Sequence, residues 1–289
     1  MKRKWMVGVL ILFLIGNFAF GAEAAEPQTK ATWLWNPWMI NNDEAGTLDF
    51  LVSKDVNKVY LQIDPDIPSS VYQSFNAKAA EKGIDILALD GAPDWVAPKG
   101  EAKQTKLMAW LADYQKNSTN PQQFKGIHLD VEPYLYSGWK MNQAKTITSF
   151  QSLLVKAKNS AAALGLPLEA DLPFWFDEIS YKNTHGKGVL AEWVIAKTDG
   201  VTLMAYRDTA PMIIEIVKNE VAYAKKHGKL IIIGVETGYT DEGNRVSFYE
   251  EGEAYMNGQL TLVQIHYSGA GGFGGIAVHH VDSWKQLKP

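Results

Sequence analysis

The sequence predicts an α/β fold, a single (β/α)8 barrel in which eight parallel strands are each followed by a helix. Short apolar runs rich in β-forming residues alternate with longer amphipathic segments, which is the pattern of repeated βα units. Residues 25–289 have the length of one such barrel or of two small domains. No segment after residue 30 has the composition of a linker. We therefore expect residues 25–289 to form one barrel domain.

The predicted strands follow one another along the whole chain. They cover residues 31–35, 58–63, 85–89, 126–131, 168–172, 200–205, 230–235 and 275–279. Helical patterns lie between and after them, near residues 44–54, 68–82, 101–116, 141–164, 188–197, 210–227, 247–266 and 282–287. Strict alternation favours a closed barrel over an open doubly wound sheet, which usually has fewer strands and a glycine-rich first turn.

One glycine-rich segment, residues 269–275, contains a G-x-G-x-x-G spacing. Phosphate-binding loops of this kind join a strand to the helix that follows it. The segment here precedes the last predicted strand instead. We therefore expect a flexible connection and not a phosphate site.

Residues 1–24 are predicted to be a cleaved secretory signal peptide. Lys2-Arg3-Lys4 precede an apolar run over residues 5–20, and Ala22-Glu23-Ala24 provide a small-x-small cleavage site. We expect the mature protein to begin near Ala25, to be secreted or held in the cell wall, and to have no stable membrane anchor. Retention of the apolar run as an anchor is the alternative.

The composition restricts the classes of molecule that this protein is expected to bind. The net charge of −4 argues against nucleic acid and anionic membranes as partners. The absence of cysteine excludes disulfides and a lipid-attachment cysteine. Aromatic residues make up 11% of the chain, including ten Trp. Such rings suit stacking on sugars, although most Trp in a globular protein is packing.

The most informative segment is residues 124–133, where three polar residues interrupt an apolar run. His128, Asp130 and Glu132 stand at every second position, so in a strand they share one face. If the strand ends at Pro133, they rise toward the carboxyl-terminal rim, where barrel enzymes keep their chemistry. The alternative is a buried structural ladder of polar residues.

Other acids and aromatics are predicted to gather at the same rim. Several carboxylates in one mouth suit glycosidic bond cleavage, because one acid protonates the leaving oxygen and another group stabilises the oxocarbenium-like centre. We assign Glu132 as the acid, and we expect a polysaccharide or oligosaccharide substrate and no cofactor. The predicted substrate-binding residues are Trp33, Trp35, Asp64, Asp90, Asp171, Trp175, Tyr206, Asp208 and His279.

The segment 125–132 resembles the D-x-x-D-x-D-x-E signature of family 18 glycoside hydrolases, the chitinases and endo-N-acetylglucosaminidases, which are TIM barrels. The last two acids of the signature fall on Asp130 and Glu132, while Lys125 and His128 stand at the first two. The resemblance implies that Glu132 protonates the leaving oxygen. It also implies that Asp130 orients the N-acetyl group of the substrate, which acts as the nucleophile.

Two further segments resemble the same family. Met204-Ala205-Tyr206 is similar to its M-x-Y motif, with Arg207 next and the expected acid displaced to Asp208. Residues 274–279 are similar to its G-G-x-M-x-W motif, with His279 in place of the Trp that forms the substrate floor. The resemblance thus spans the predicted barrel in order.

Two alternatives remain open. Val131-Glu132-Pro133 and Glu236 also resemble the acid and the nucleophile of clan A retaining hydrolases, which would make Glu132 the acid/base and Glu236 the nucleophile. Retaining pairs lie roughly 5–5.5 Å apart. A carbohydrate-binding barrel without catalytic activity is the second alternative.

The histidines could be taken as metal ligands, but we do not predict a metal site. His279 and His280 are adjacent, so in a strand they face opposite sides and cannot both reach one ion. A site built from His128, Asp130 and His279 is the remaining arrangement. We expect instead that His128 hydrogen-bonds Asp130 and holds its side chain in place.

Overall fold

The computed structural model describes residues 28–289, in which eight parallel strands close into a barrel. A further pair of strands forms a separate antiparallel hairpin. In chain order the strands are β1 (Thr29–Leu34), β2 (Lys58–Gln62), β3 (Asp85–Asp90), β4 (Gly126–Leu129), β5 (Leu168–Pro173), β6 (Ser180–Asn183), β7 (Gly186–Val189), β8 (Gly200–Met204), β9 (Ile231–Glu236) and β10 (Phe273–His279).

Helices surround the barrel. They are α1 (Trp38–Asn42), α2 (Glu44–Ser53), α3 (Ser69–Glu81), α4 (Glu101–Lys116), α5 (Ser137–Met141), α6 (Gln143–Ala163), α7 (Leu190–Lys197), α8 (Ala210–Lys226), α9 (Glu253–Tyr267) and α10 (Val281–Gln286). The predicted alternation of strands and helices is confirmed. The short helices α1 and α5 have no counterpart in the sequence prediction.

Each barrel strand pairs in parallel with the next barrel strand along the chain. The barrel closes where β1 pairs with β10, with Thr32 opposite Val278. The carboxyl ends of all eight strands therefore meet at one rim, where the following loops can build a site. The predicted (β/α)8 fold class is confirmed.

Several predicted strand boundaries are wrong, and three are wrong by two residues: the start of β1, which is Thr29 and not residue 31, the end of β4 and the start of β10. β4 ends at Leu129 and not at residue 131, and the chain turns further on, where the amides of Leu135 and Tyr136 donate to the carbonyls of Glu132 and Pro133. β10 begins at Phe273. Part of the glycine-rich segment is therefore strand and not a flexible connection.

Gly275 shows why glycine occupies the start of β10. Its φ is +143°, and a Cβ there would lie 2.0 Å from the carbonyl oxygen of Thr29. Glycine thus permits β10 to approach β1 closely enough to close the barrel.

The hairpin β6–β7 is absent from the sequence prediction. It is inserted between β5 and α7, and Asn183 anchors it by donating to Thr148 Oγ1 (3.0 Å) and Gln151 Oε1 (2.7 Å) of α6. Its strands have four residues each and are mostly exposed, so they lack the apolar run that marks a barrel strand. The helix predicted at residues 188–197 consequently begins at Leu190.

Alternate residues of the barrel strands enter two apolar layers. On β2, Tyr60 points into the barrel interior, whereas Val59 and Leu61 belong to the layer between strands and helices. Both faces of each strand are buried, which explains why the strands read as nearly continuous apolar runs. The interior apolar layer consists of Ala31, Trp33, Tyr60, Leu87, Leu89, Ile232 and Ala277.

Glu220 of α8 is a buried acid outside the barrel mouth. Its side chain is fully buried, and within residues 28–289 neither carboxylate oxygen accepts a hydrogen bond from another residue. Burial raises the pKa of Glu220 from 4.5 to about 8, and repulsion from Asp177 acts in the same direction. Glu220 is therefore protonated in the folded protein at neutral pH.

The raised pKa of Glu220 predicts that the free energy of unfolding depends on pH. The unfolded chain releases the proton near pH 4.5 and the folded chain near pH 8, so the free energy of unfolding should fall as pH rises between these values. Glu220→Gln should raise the free energy of unfolding by about 2–3 kcal/mol at pH 7. It should have little effect at pH 4. Urea unfolding at both pH values measures this, and equal differences at the two values would contradict it.

Residues 1–27 lie outside the described part of the chain, so the signal peptide and the start near Ala25 stay predictions. Between residues 28 and 289, no helix combines the length and the apolar character needed to cross a membrane.

Candidate active site

The predicted catalytic acids lie in the loop that follows β4. Asp130 and Glu132 flank Val131, which is 4% exposed and packs in the layer between barrel and helices. The Asp130 amide continues the sheet pairing by donating to the Asp90 carbonyl (3.1 Å). Asp130 thus sits on the barrel rim, and Glu132 lies beyond it.

Gly91 fixes the backbone at Asp130. Its φ is +156°, and a Cβ at this position would lie 2.0 Å from the Asp130 carbonyl oxygen. A side chain there would have to push the loop after β4 outward. The glycine after β3 therefore determines where the first acid stands.

A row of side chains with alternating charges lies in the barrel interior next to these acids. Lys58 Nζ lies 2.7 Å from Glu169 Oε1, and His128 lies between Glu169 (Nδ1 to Oε2, 3.8 Å) and Asp171 (Nε2 to Oδ2, 3.0 Å). The imidazole stacks on Tyr60 with 3.7 Å between ring centroids. Burial alone would lower the pKa of His128, but Asp171 and Glu169 raise it to about 9. His128 is therefore a buried cation at neutral pH.

The predicted partner of His128 is thus wrong. His128 faces Asp171 and not Asp130, because the register places His128 beside Glu169, and Asp171 is two residues further along the same face of β5. His128 still acts on Asp130 through its charge, which lowers the pKa of that acid.

Asp171 is held from two sides. Trp33 Nε1 donates to the same carboxylate oxygen that His128 approaches (2.9 Å). The indole of Trp33 is 1% exposed and belongs to the interior apolar layer. Trp33 therefore has no face open to a sugar, which corrects its prediction as a substrate contact. It orients Asp171 instead.

Asp130 and Glu132 repel each other in a poorly solvated site. Burial raises the pKa of Asp130 well above its usual range, and repulsion from Asp171 and Glu132 adds to this. Burial also raises the pKa of Glu132, and Asp171 acts in the same direction. Repulsion between like charges in a poorly solvated site favours the protonated form of each carboxyl group. Both pKa values are thus shifted in the direction that a general acid requires.

Tyr134 is a site residue that the sequence motifs do not single out. Its hydroxyl donates to Glu132 Oε1, a hydrogen bond that lowers the pKa of Glu132 against the effect of burial. Its ring packs edge-on against Trp175, with centroids 5.0 Å apart, and Trp139 lies 6.1 Å from Trp175. These rings form an aromatic wall beside Glu132. Only the position of Tyr134 two residues after the acid hinted at this contact.

His279 and Glu236 form a second pair at the rim. Trp35 Nε1 donates to His279 Nε2 (2.9 Å), so Nδ1 carries the proton and donates to Glu236 Oε2 (2.7 Å). Glu236 Oε1 accepts from the amides of Thr237 (2.8 Å) and Gly238 (2.6 Å). Burial alone would raise the pKa of Glu236, but His279 and these amides lower it. Glu236 is therefore an anion with both oxygens engaged.

Tyr206 lies near His279, and the charges of both pairs of residues act on it. Its ring lies 5.8 Å from His279. Burial raises the pKa of Tyr206 well above its usual range, and the charges of Glu236, Asp171 and Asp130 raise it further. Its hydroxyl thus stays protonated among these acids and can donate a hydrogen bond. This placement is compatible with its predicted role in substrate binding, which stays a prediction.

The remaining predicted acids differ in position. Asp90 lies beside the Asp130 backbone and accepts from the Gly91 amide (2.8 Å), and burial raises its pKa. Asp64 accepts from Trp38 Nε1 (3.0 Å) on the rim. Asp208 is buried, and its charge acts on Glu251. In the described residues neither Asp64 nor Asp208 bonds to the acids after β4, so their substrate contacts stay predictions.

The histidines near the acids are already engaged. His128 faces Asp171, and His279 is held by Trp35 and Glu236. Across residues 28–289, no group of three or more His, Asp or Glu side chains is arranged to hold a metal ion.

The sequence matches no family model and no curated protein. Solved structures do match. A chitinase from Chromobacterium violaceum is 13% identical with a TM-score of 0.55, and the match covers 89% of this chain and 96% of that one. A chitinase from Bacteroides thetaiotaomicron is 11% identical with a TM-score of 0.55, covering 90% and 93%.

A third match is catalytic domain 2 of a group II chitinase from Ostrinia furnacalis. It is 14% identical with a TM-score of 0.54, and 88% of this chain and 90% of that one are covered. The identities are too low to carry residue roles across. The described chain therefore shares the barrel fold of these chitinases over nearly their whole length.

Proposed function

We propose that the protein is a glycoside hydrolase that cleaves polysaccharides containing N-acetylhexosamine, with Glu132 as the general acid. One observation carries the proposal: Glu132 lies at the barrel rim with a raised pKa, beside a second, deeper acid, Asp130. Glycosidic cleavage needs a carboxyl group that is still protonated near neutral pH. The shared barrel fold with chitinases supports the same reaction class.

Asp130 is proposed to act on the N-acetyl group of the substrate. When the acetamido oxygen attacks the anomeric carbon, the acetamido nitrogen gains positive charge and its N–H becomes a stronger donor. In its anionic form the buried Asp130 carboxylate would accept this bond and stabilise the charge. The charge of His128 lowers the pKa of Asp130 and so favours this anionic form, against the larger effect of burial.

The rival assignment makes Glu236 a nucleophile. Its position at the end of β9 and its lowered pKa fit that role. Its hydrogen bonds fit another one, since Thr237, Gly238 and His279 all donate to it. We propose that Glu236 instead orients His279 at the sugar-binding surface.

Secretion is part of the proposal. The predicted signal peptide supports an extracytoplasmic site of action, and a substrate in the cell wall or in an extracellular matrix fits it.

A pair of matched oligosaccharides tests the reaction. The N-acetylglucosamine hexamer should be cleaved at least about a hundredfold faster than the glucose hexamer, because only the first carries the internal nucleophile. Released reducing ends measure the rates, and the first product should retain the anomeric configuration. Equal cleavage of both hexamers would contradict participation of the N-acetyl group. Binding of the first without cleavage would support the silent carbohydrate-binding barrel.

A further inference from the structure

A groove of about 560 Å³ lies at the barrel mouth, between the loops that follow β5, β8 and β9. We call it the arginine groove, and it is lined by Phe174, Trp175, Arg207 and residues 242–246. Its lining borders the surroundings of Glu132, since Trp175 packs on Tyr134, which donates to Glu132. The charge of Glu242 in its lining also acts on Glu132. A sugar in this groove would lie near the glycosidic oxygen that Glu132 is proposed to protonate.

Arginine is rare in this chain and concentrated in the groove. The sequence contains three arginines, of which Arg3 falls outside the described residues and both others, Arg207 and Arg245, line the groove. Across residues 28–289 neither guanidinium has a carboxylate within 4.0 Å. Two cations that form no ion pair within the described residues are unusual in a chain with net charge −4.

Arg207 is held in place. Its guanidinium lies over the ring of Phe174, 4.8 Å from the centroid, and Nη1 donates to the Tyr206 carbonyl (2.6 Å). Tyr206 itself packs near His279 in the active site. A guanidinium fixed in this way loses little conformational entropy when it binds an anion, and its remaining N–H groups match a carboxylate or a phosphate.

We propose that the arginine groove binds a sugar residue with an anionic substituent, a carboxylate or a phosphate, so that the substrate is an acidic glycan. The lining carries two guanidinium groups against one acid, Glu242, which leaves one positive charge in excess. Trp175 and Phe174 supply apolar surface for the sugar ring. This inference rests on the proposed function, because it assigns the substrate class of the same site.

Three hexamers of N-acetylglucosamine provide the test: unmodified, carboxymethylated and 6-phosphorylated. Calorimetry and reducing-end release give Kd and kcat/KM for the full mature chain. We expect at least one charged hexamer to bind about tenfold tighter than the neutral one in low salt, and this preference to shrink as salt is raised. The charged hexamer that is preferred identifies the anion as carboxylate or phosphate.

Arg207→Gln and Arg245→Gln should remove the preference for the charged hexamer while leaving the Kd of the neutral hexamer within about threefold. Lys82→Gln is the matched control, because Lys82 is exposed at the end of α3, away from the groove, and it also loses one positive charge. Thermal unfolding confirms that each variant is folded. Arg207→Lys should restore only part of the preference, since it keeps the charge but loses the fork of donors.

The outcomes separate the two proposals. Cleavage of all hexamers with equal Kd values overturns the acidic substrate and leaves the hydrolase intact. Tighter, arginine-dependent binding of a charged hexamer without any cleavage supports the anion site and overturns the hydrolase. A preference that survives both glutamine substitutions overturns the assignment of the arginine groove.

Discussion

Glu132→Gln should reduce hydrolysis of the N-acetylglucosamine hexamer by about 10²–10⁴-fold, the usual contribution of a general acid. Glutamine keeps the size of the side chain and can still meet the Tyr134 hydroxyl, but it cannot donate a proton to the leaving oxygen. The expected loss is therefore in kcat, with KM nearly unchanged. Initial rates over a range of hexamer concentrations measure both.

Tyr134→Phe adds a pH test of the same assignment. The Tyr134 hydrogen bond lowers the pKa of Glu132, so its removal should shift the alkaline limb of the rate profile to higher pH. Glu81→Gln is a matched control, because Glu81 is exposed at the end of α3. Full activity of Glu132→Gln across the pH range would refute the acid assignment.

Asp130→Asn should lower the rate by about a hundredfold or more, whereas Glu236→Gln should retain most of kcat and mainly raise KM. The first removes the carboxylate proposed to stabilise the charged acetamido group. The second removes the charge of Glu236, whose contacts are to His279 and two backbone amides. It should therefore disturb sugar binding more than the chemical step. A split between kcat and KM is the measurement that distinguishes them.

Added azide tests the rival mechanism, which predicts the opposite effects of these two substitutions. If Glu236 forms a covalent glycosyl-enzyme, Glu236→Gln should be inactive, and azide should restore turnover as a glycosyl azide of inverted configuration. A dead Glu236→Gln beside an active Asp130→Asn would reverse our assignment. If azide restores neither variant while Asp130→Asn is impaired, participation of the N-acetyl group stands.

The barrel could be predicted from the sequence because the apolar pattern of each strand and helix is local. Each strand is buried on both faces and each helix on one, so the apolar pattern repeats along the sequence. α4 was predicted at its observed limits, residues 101–116. The hairpin β6–β7 was missed because four-residue, exposed strands carry no such pattern. The predicted end of β4 is wrong because the apolar run continues through Val131, which is buried although it lies beyond the strand.

The sequence by itself determined which acids lie at the rim after β4, because they directly follow a buried apolar strand at its carboxyl end. Tertiary structure alone decided their partners. His128 pairs with Asp171 through the register between strands, and Tyr134 reaches Glu132 through a turn. Arg207 and Arg245, 38 positions apart, meet in one groove because separate loops converge at the mouth. Such contacts depend on the three-dimensional closure of the barrel, which sequence spacing does not encode.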